Sequence, residues 1–382
     1  MENKAENSII LKYPSDENTV TDISFFEGEP CPEKLLLNLN DGIKRLFVTD
    51  TTLQALPCMK NFISYFTDET PSQDSLYSNG NDFLLILGSG EKFKTIESVL
   101  KIVSSAIEND FNRNSVFIGI GGGVITDMTG FASSIFKRGI KCIFVPTTLL
   151  SCVDASIGGK TGCDFSSYKN MTGTFHPAEK ILIWGSFIKT LSEREFRSGL
   201  AEAVKTALLF SDELTVLFEK EKEDVLKRDE KILSKIIREC AEAKARIVME
   251  DFKEKGRRAF LNLGHTFGHA LESASGLGEV THGEAVAWGI ARAAELSENL
   301  GYAEKGYKDK TLKLLFEYGY CVDAVHPSLL KTEDASGKLL SAMHKDKKNN
   351  SDSVRVILQK KNTDTFITEV SDSEILKVLK GN

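Results

Sequence analysis

No Cys-x-x-Cys pair occurs in the chain; its seven cysteines (Cys31, Cys58, Cys142, Cys152, Cys163, Cys240 and Cys321) are scattered and odd in number. That spacing excludes a cysteine zinc site and a disulfide framework, and fits reduced thiols in a cytoplasm. No apolar run approaches the roughly 20 residues a membrane span needs. The first residues carry Glu2, Glu6, Asp16 and Glu17 and lack the apolar core of a secretory signal. Positive charge is in deficit, with 48 Lys and Arg against 55 Asp and Glu and a formal net charge of −7. The balance argues against a nucleic-acid partner but allows a local basic pocket for a small anion. A strict G-x-G-x-x-G is also missing. The expectation is a soluble cytoplasmic protein with neither nucleic acid nor membrane as partner.

What is present is enough for a sizeable core. Of 382 residues, 41% are hydrophobic and 27% charged, and at about 100–200 residues per domain two domains are expected. Short branched or aromatic runs at 43–49 (IKRLFVT), 83–87 (FLLIL), 115–120 (SVFIGI), 141–146 (KCIFVP) and 181–184 (ILIW) read as strands, and 95–109 reads as a helix. Alternating strand and helix predicts an α/β domain with a mainly parallel sheet. Beyond residue 190 the pattern turns helical, at 193–205, 213–228, 230–250, 266–275 and 282–300, with one late strand candidate at 354–358. The fold class expected is therefore α/β: a mainly parallel α/β nucleotide-binding domain over 1–190, then a mostly α-helical metal-binding domain over 191–382.

Histidine is scarce, six in all, yet three fall within 261–284, LNLGHTFGHALESASGLGEVTHGE. His265 and His269 are one helical turn apart on one face, and His282 follows a glycine-rich break. Catalytic zinc commonly has three protein ligands and one open position. Upstream, Glu202 and Lys205 share a helix face within the apolar surroundings of 199–204, and a buried Glu requires a partner. A metal held by Glu202, His265 and His282 answers that need, with His269 left for hydrogen bonding or acid–base use. If helix extended back far enough, Arg258, Asn262, His265 and His269 would form one polar stripe at core spacing, which marks function. Lys244 adds a cation.

In the first half, the strand ending at Ile120 runs into Gly121-Gly122-Gly123 and a helical pattern. Such a turn lets backbone approach a pyrophosphate at a helix N-terminus. Asp50 after one strand is placed for a ribose hydroxyl, and 88–94 (GSGEKFK) is a second glycine loop carrying charge. In open α/β sheets, ligands bind beyond the carboxyl ends of the strands. Residues 146–173 read as a long polar loop, where Lys160, Lys169 and Asn170, with Arg138 nearby, are expected to meet a phosphate or carboxylate; Asp154 is an acid–base candidate.

Together GGGVITD, RGIKCIFVPTTLL, VDASIGGKTG, KNMTGTF, IKTL, REFRSGLAEAVK, LNLGHTFGHALE and HGEAVAWG resemble the 3-dehydroquinate synthase family, from about Asp50 to Lys348. The resemblance implies an NAD- and zinc-dependent lyase, with cobalt as an alternative metal, acting on a small phosphorylated sugar acid, 3-deoxy-D-arabino-heptulosonate 7-phosphate, as a homodimer. It implies metal ligands Glu202, His265 and His282. It assigns NAD to Asp50, Glu91, Lys94, Gly122, Gly123, Asp127, Thr147, Thr148 and Thr190, with Lys160 and Lys169 also given to the cofactor. Catalysis falls to Asp154, Lys160, Lys205, Lys244, Arg258, Asn262 and His269, and substrate binding to Arg138, Lys160, Asn170, Lys244, Arg258 and Lys347. Departures from the family pattern are Thr126, Cys163-Asp164, His176 and Thr206; Asp164 is expected to face away from a bound phosphate. Rival readings are another sugar-phosphate cyclase, a metal-dependent polyol dehydrogenase and a non-catalytic binding protein.

Overall fold

The structure, a computed structural model, describes residues 8–14, 16–28, 35, 42–166, 168–276, 278–347 and 352–381. It divides into two compact units, one of residues 1–191 with 244–253, the other of 192–243 with 254–382. Residues 244–253, which the sequence reading gave to the second domain, group with the first. The reason is local: Lys244 pairs with Asp154, and the Phe252 ring packs edge-on against Tyr13 and Phe175.

The first unit is built on eight strands. In chain order they are β1 (Ser8–Tyr13), β2 (Asp16–Phe26), β3 (Arg45–Asp50), β4 (Leu76–Asn79), β5 (Asp82–Leu87), β6 (Val116–Gly121), β7 (Lys141–Pro146) and, after a separate hairpin, β10 (Lys180–Trp184). The hairpin is β8 (Lys160–Phe165) and β9 (Tyr168–Phe175). The sheet order is β1-β2-β10-β7-β6-β3-β5-β4. The central pairings are all parallel, and only β1 and β4, at the edges, run antiparallel. β3, β5 and β6 are buried almost throughout because both sheet faces are covered. Leu46, Val48, Leu85 and Phe117 point to one face, packing on helices α2 (Ile96–Glu108) and α3 (Gly123–Ile135). Phe47, Leu84, Ile86, Ile118 and Val145 point to the other, where short helix α1 (Lys60–Ser64) contributes Phe62. This is the alternation a strand dictates.

The chain runs from β3 to β5 on one side, then returns to β6 on the other side of β3. The topological switch therefore lies between the carboxyl ends of β3 and β6, the place where open α/β sheets take ligands. β1 and β2 extend the sheet beyond anything read from the sequence. The stretch 146–173 is also not the loop expected. It holds a turn of π-helix at Ser151–Ala155 and the β8–β9 hairpin. Gly162 and Gly173 face each other across that hairpin, where a Cβ on Gly162 would lie 2.6 Å from Thr172 O.

Helices of the second unit are α4 (Glu193–Phe210), α5 (Asp212–Lys220), α6 (Lys222–Leu226), α7 (Glu230–Glu250, shared with the first unit), α8 (His265–Ser275), α9 (His282–Asn299), α10 (Tyr307–Glu317), α11 (Ala335–Lys347) and α12 (Asp372–Lys380). A hairpin of β11 (Ser353–Lys361) and β12 (Asp364–Ser371) completes it. The single helix expected over 213–228 is broken at Glu221, whose backbone leaves the helical region (φ −104°, ψ 25°).

Candidate metal centre and nucleotide site

Three helix starts in the second unit set the metal geometry. α4 is capped by Ser192, whose Oγ accepts from the Glu195 N–H, and it carries Glu202 in its buried middle. α9 begins at His282 because Thr281 and Glu284 form a reciprocal capping box, at 3.2 and 2.8 Å. α8 begins at His265, after Gly264 turns the chain through a left-handed φ of 79°. That turn overrules the polar stripe expected from Arg258 to His269. Residues 257–262 form a separate 3-10 segment, so only His265 and His269 share a helix face.

Glycines let these helices approach. A Cβ on Gly289 would lie 2.8 Å from the carbonyl carbon of Gly264, and one on Gly283 would lie 2.5 Å from Ser198 Cα. Ser198 stands one turn before Glu202, and its Oγ accepts from the Gly283 N–H at 3.1 Å. The close packing of α9 on α4 thus sets His282 opposite Glu202. His282 Nε2 is 3.4 Å and His265 Nε2 3.7 Å from Glu202 Oε1. One ligand atom from each of the three lies within 4.8 Å of the others.

The electrostatics suit a cation. Glu202 is fully buried and ion-paired with buried Lys205. Burial opposes its ionisation, but Lys205 and the two imidazoles outweigh it and hold its pKa well below the usual carboxylate range. Burial, then Lys205, push His265 well below the usual imidazole value, so it is neutral and able to ligate. Its Nδ1 lies 3.2 Å from Leu263 O, leaving Nε2 for the site. Burial also works to lower His282, yet contacts with Glu202 and Glu272 outweigh it and raise it to about 9. Glu202 Oε2 is held by Lys205, while the buried Oε1 faces the Nε2 atoms of His265 and His282. A divalent ion fits: it satisfies that carboxylate and completes a two-His, one-carboxylate set of the kind zinc takes, with one position open.

The first unit presents its candidates at the carboxyl ends of the parallel strands. Gly121 ends β6, and Gly122 precedes α3 with no side chain capping that helix. A Cβ on Gly122 would lie 2.9 Å from Thr148 Cγ2, so glycine keeps the turn open beside Thr148. Thr147 is buried, its N–H bound to Gly121 O at 3.0 Å. Asp127, in the first turns of α3, pairs with buried Lys94 at 2.7 Å, and Lys94 Nζ donates to Asn170 Oδ1 at 2.6 Å. At the end of β3, Asp50 Oδ1 accepts from the N–H groups of Thr52 and Leu53. Glu91 is half-buried, and exposed Thr190 donates to Phe187 O. A dinucleotide fits this edge, with the Gly122 turn for a pyrophosphate and acidic residues beside it.

Of the substrate candidates, Lys244 Nζ donates to Asp154 O at 2.5 Å and Oδ1 at 2.6 Å. Lys160, Lys169 and Asn170, on the β8–β9 hairpin, and Arg138 are exposed. Asp164 Oδ1 accepts from the Asn170 N–H at 2.8 Å. Arg258 is buried, and Asn262 donates to Glu254 Oε1 at 2.6 Å. His269 lies beside His265, ring centroids 5.4 Å apart. The side chain of Lys347, and Lys348, lie outside the described residues. Sequence reading missed Glu254 and Glu272; Glu272 had left a signal, standing seven residues after His265 on the same helix face.

The fold is that of the sugar-phosphate cyclases. Over 96% of this chain it matches 2-epi-5-epi-valiolone synthase from Streptomyces hygroscopicus with NAD+ and Zn2+ bound (TM-score 0.80, 25% identity, 97% of that chain). It also matches 2-deoxy-scyllo-inosose synthase over 98% of this chain and 100% of that one (TM-score 0.79, 22% identity). More narrowly, residues 84–198 match the family described as 3-dehydroquinate synthase N-terminal, and 199–349 the one described as 3-dehydroquinate synthase C-terminal. A 3-dehydroquinate synthase of Acinetobacter baylyi is 39% identical over 92% of this chain and 93% of its own length. One of Wolinella succinogenes is 46% identical over 62% of this chain and 67% of its own. The chain belongs to the 3-dehydroquinate synthase family.

Proposed function

We propose that the chain is an NAD- and divalent-metal-dependent lyase that converts 3-deoxy-D-arabino-heptulosonate 7-phosphate to 3-dehydroquinate and phosphate, within the shikimate pathway. The observation carrying this reading is the buried Glu202 with His265 and His282, in a chain that matches the family across both units.

Glu202, His265 and His282 would hold the metal, which when bound acidifies a substrate hydroxyl. Asp50, Glu91, Lys94, Gly122, Gly123, Asp127, Thr147, Thr148 and Thr190, with Lys160 and Lys169, would hold NAD, which supplies a hydride acceptor that ends the cycle unchanged. The Lys94–Asp127 pair orients both groups by mutual charge. Lys205 balances Glu202 and stands ready as a donor to a substrate oxygen. Lys244, held by Asp154, presents a cation whose position is set by two hydrogen bonds.

Lys160, Asn170, Arg258, Asn262, His269 and Lys347 are assigned to substrate, where cations bind phosphate and carboxylate by charge-assisted hydrogen bonds. Their contribution is chiefly orientation, which enables a bound molecule to lose phosphate and close on itself. No single side chain is assigned as the elimination base.

The exposed Arg138 follows Lys137 in left-handed backbone, φ 70° and 48°. Such strain in consecutive non-glycine residues supports a functional placement, and we assign Arg138 to the substrate phosphate of a neighbouring copy in a homodimer. None of the six described cysteines is in a disulfide, which supports a cytoplasmic location. No helix among the described residues is long and apolar enough to cross a membrane. Phosphate release tests the reading: the heptulosonate 7-phosphate is turned over and sedoheptulose 7-phosphate, lacking the carboxylate, is not. Preference for the latter would assign the chain to another cyclase activity.

A further inference from the structure

We propose that Glu272 is a positioning residue for the metal centre, holding the His282 imidazole so that its Nε2 is presented to the ion. The proposal rests on reading Glu202, His265 and His282 as the ligands. His265 and Glu272 are seven residues apart on α8, two turns along one face, and His282 opens α9 beside them. The His282 ring lies between two carboxylates, Nε2 3.4 Å from Glu202 Oε1 and Nδ1 3.5 Å from Glu272 Oε2. A neutral imidazole has one N–H and one lone pair. A carboxylate accepting the Nδ1 proton therefore leaves the lone pair on Nε2, fixes the ring and makes it a better ligand.

His265 uses the same device with a weaker, neutral acceptor, the Leu263 carbonyl at its Nδ1. The His282 side chain is 32% exposed, against 13% for His265, and so is less fixed by its packing. It is the ring for which a charged anchor matters more. The Glu272 side chain is only 11% exposed, unlike a solvated surface carboxylate. A competing role exists on geometry alone, because His269, Glu272 and His282 also offer atoms within 4.8 Å of one another, making Glu272 itself a possible ligand. The observations favour positioning, since Glu272 meets Nδ1 while the other nitrogen faces the fully buried Glu202.

The test uses the full chain stripped of metal, with zinc affinity measured by competition against a chromophoric chelator. Glu272→Ala is expected to bind zinc about 10- to 100-fold more weakly than the parent chain. Glu272→Gln, which keeps an acceptor of the same length without the charge, falls between the two. With cobalt, both variants keep the parent's visible spectrum, since the ligands are unchanged, and NAD affinity stays within about twofold. Zinc affinity of the alanine variant within twofold of the parent would overturn the proposal. So would a cobalt spectrum altered as in His282→Ala, which would make Glu272 a ligand. If Glu272→Ala does not fold, the glutamine variant decides by the same criteria. A His265→Ala control separates the underlying reading, because full zinc affinity in that variant overturns the ligand assignment itself.

Discussion

Replacing Gly283 by alanine should damage the metal centre without touching a ligand. The added Cβ would lie 2.5 Å from Ser198 Cα and nearer still to Ser198 O, both backbone atoms of α4. Carbon pairs sit comfortably at about 3.5–4.0 Å, so α9 must retreat from α4 by about 1 Å. Neither atom belongs to a side chain that can rotate away. Overpacking of this kind costs about 1–3 kcal/mol. For a unit of this size, that lowers the melting transition by about 2–12 °C.

The retreat carries His282 away from Glu202, and metal ligands tolerate only about 0.2 Å. Zinc linkage isolates this second effect. At zinc about 100-fold above the parent dissociation constant, the parent gains about 2.7 kcal/mol of stability. A variant with about 100-fold weaker binding gains about 0.4 kcal/mol under the same conditions. Melting of both chains with and without zinc reads the difference. A variant that melts lower yet keeps the parent's zinc increment would refute the claim that this helix contact sets the site. Unchanged melting would refute the packing argument altogether.

In the metal-free chain the His282 pKa is raised to about 9 from an unfolded value near 6.5. Its bound proton therefore contributes stability in full below about pH 6.5, lost as pH rises through 9. Zinc must displace that proton, so affinity should rise about tenfold from pH 7 to pH 8; a flat profile in a zinc titration would contradict the assignment. Lys94→Ala leaves half-buried Asp127 without its cation and should cost about 1.5–3 kcal/mol in chemical denaturation; the double variant Lys94→Met, Asp127→Leu should recover stability but not NAD affinity, and recovery of both would refute a cofactor role. Gly122→Ala, crowding Thr148, should weaken NAD at least tenfold by fluorescence titration while zinc affinity is unchanged, and equal NAD affinity would place the dinucleotide elsewhere.

Much of this was legible in the sequence where period and burial agree. The central strands read as continuous apolar runs because both faces of the sheet are covered, and the helices of the second unit showed a plain helical period. Glu202 was legible as a buried carboxylate because its neighbours at 199–204 are apolar. The β8–β9 hairpin was not, since its exposed polar residues and paired glycines mimic a loop until the cross-strand contact is seen. The helix break at Gly264 was hidden because glycine inside a polar stripe is compatible with either state, and only its left-handed φ decides. Glu272 was missed because its meaning lies in His282, ten residues away on another helix. The grouping of 244–253 with the first unit was likewise beyond a local reading, being set by Asp154, Tyr13 and Phe175.

The most direct measurement follows phosphate and NADH together in one reaction of the metal-loaded chain with the heptulosonate 7-phosphate and catalytic NAD. Sustained phosphate release with no net NADH, abolished by a chelator and restored by zinc or cobalt, is the predicted result. NADH accumulating in step with substrate consumed, or phosphate release indifferent to the chelator, would contradict it.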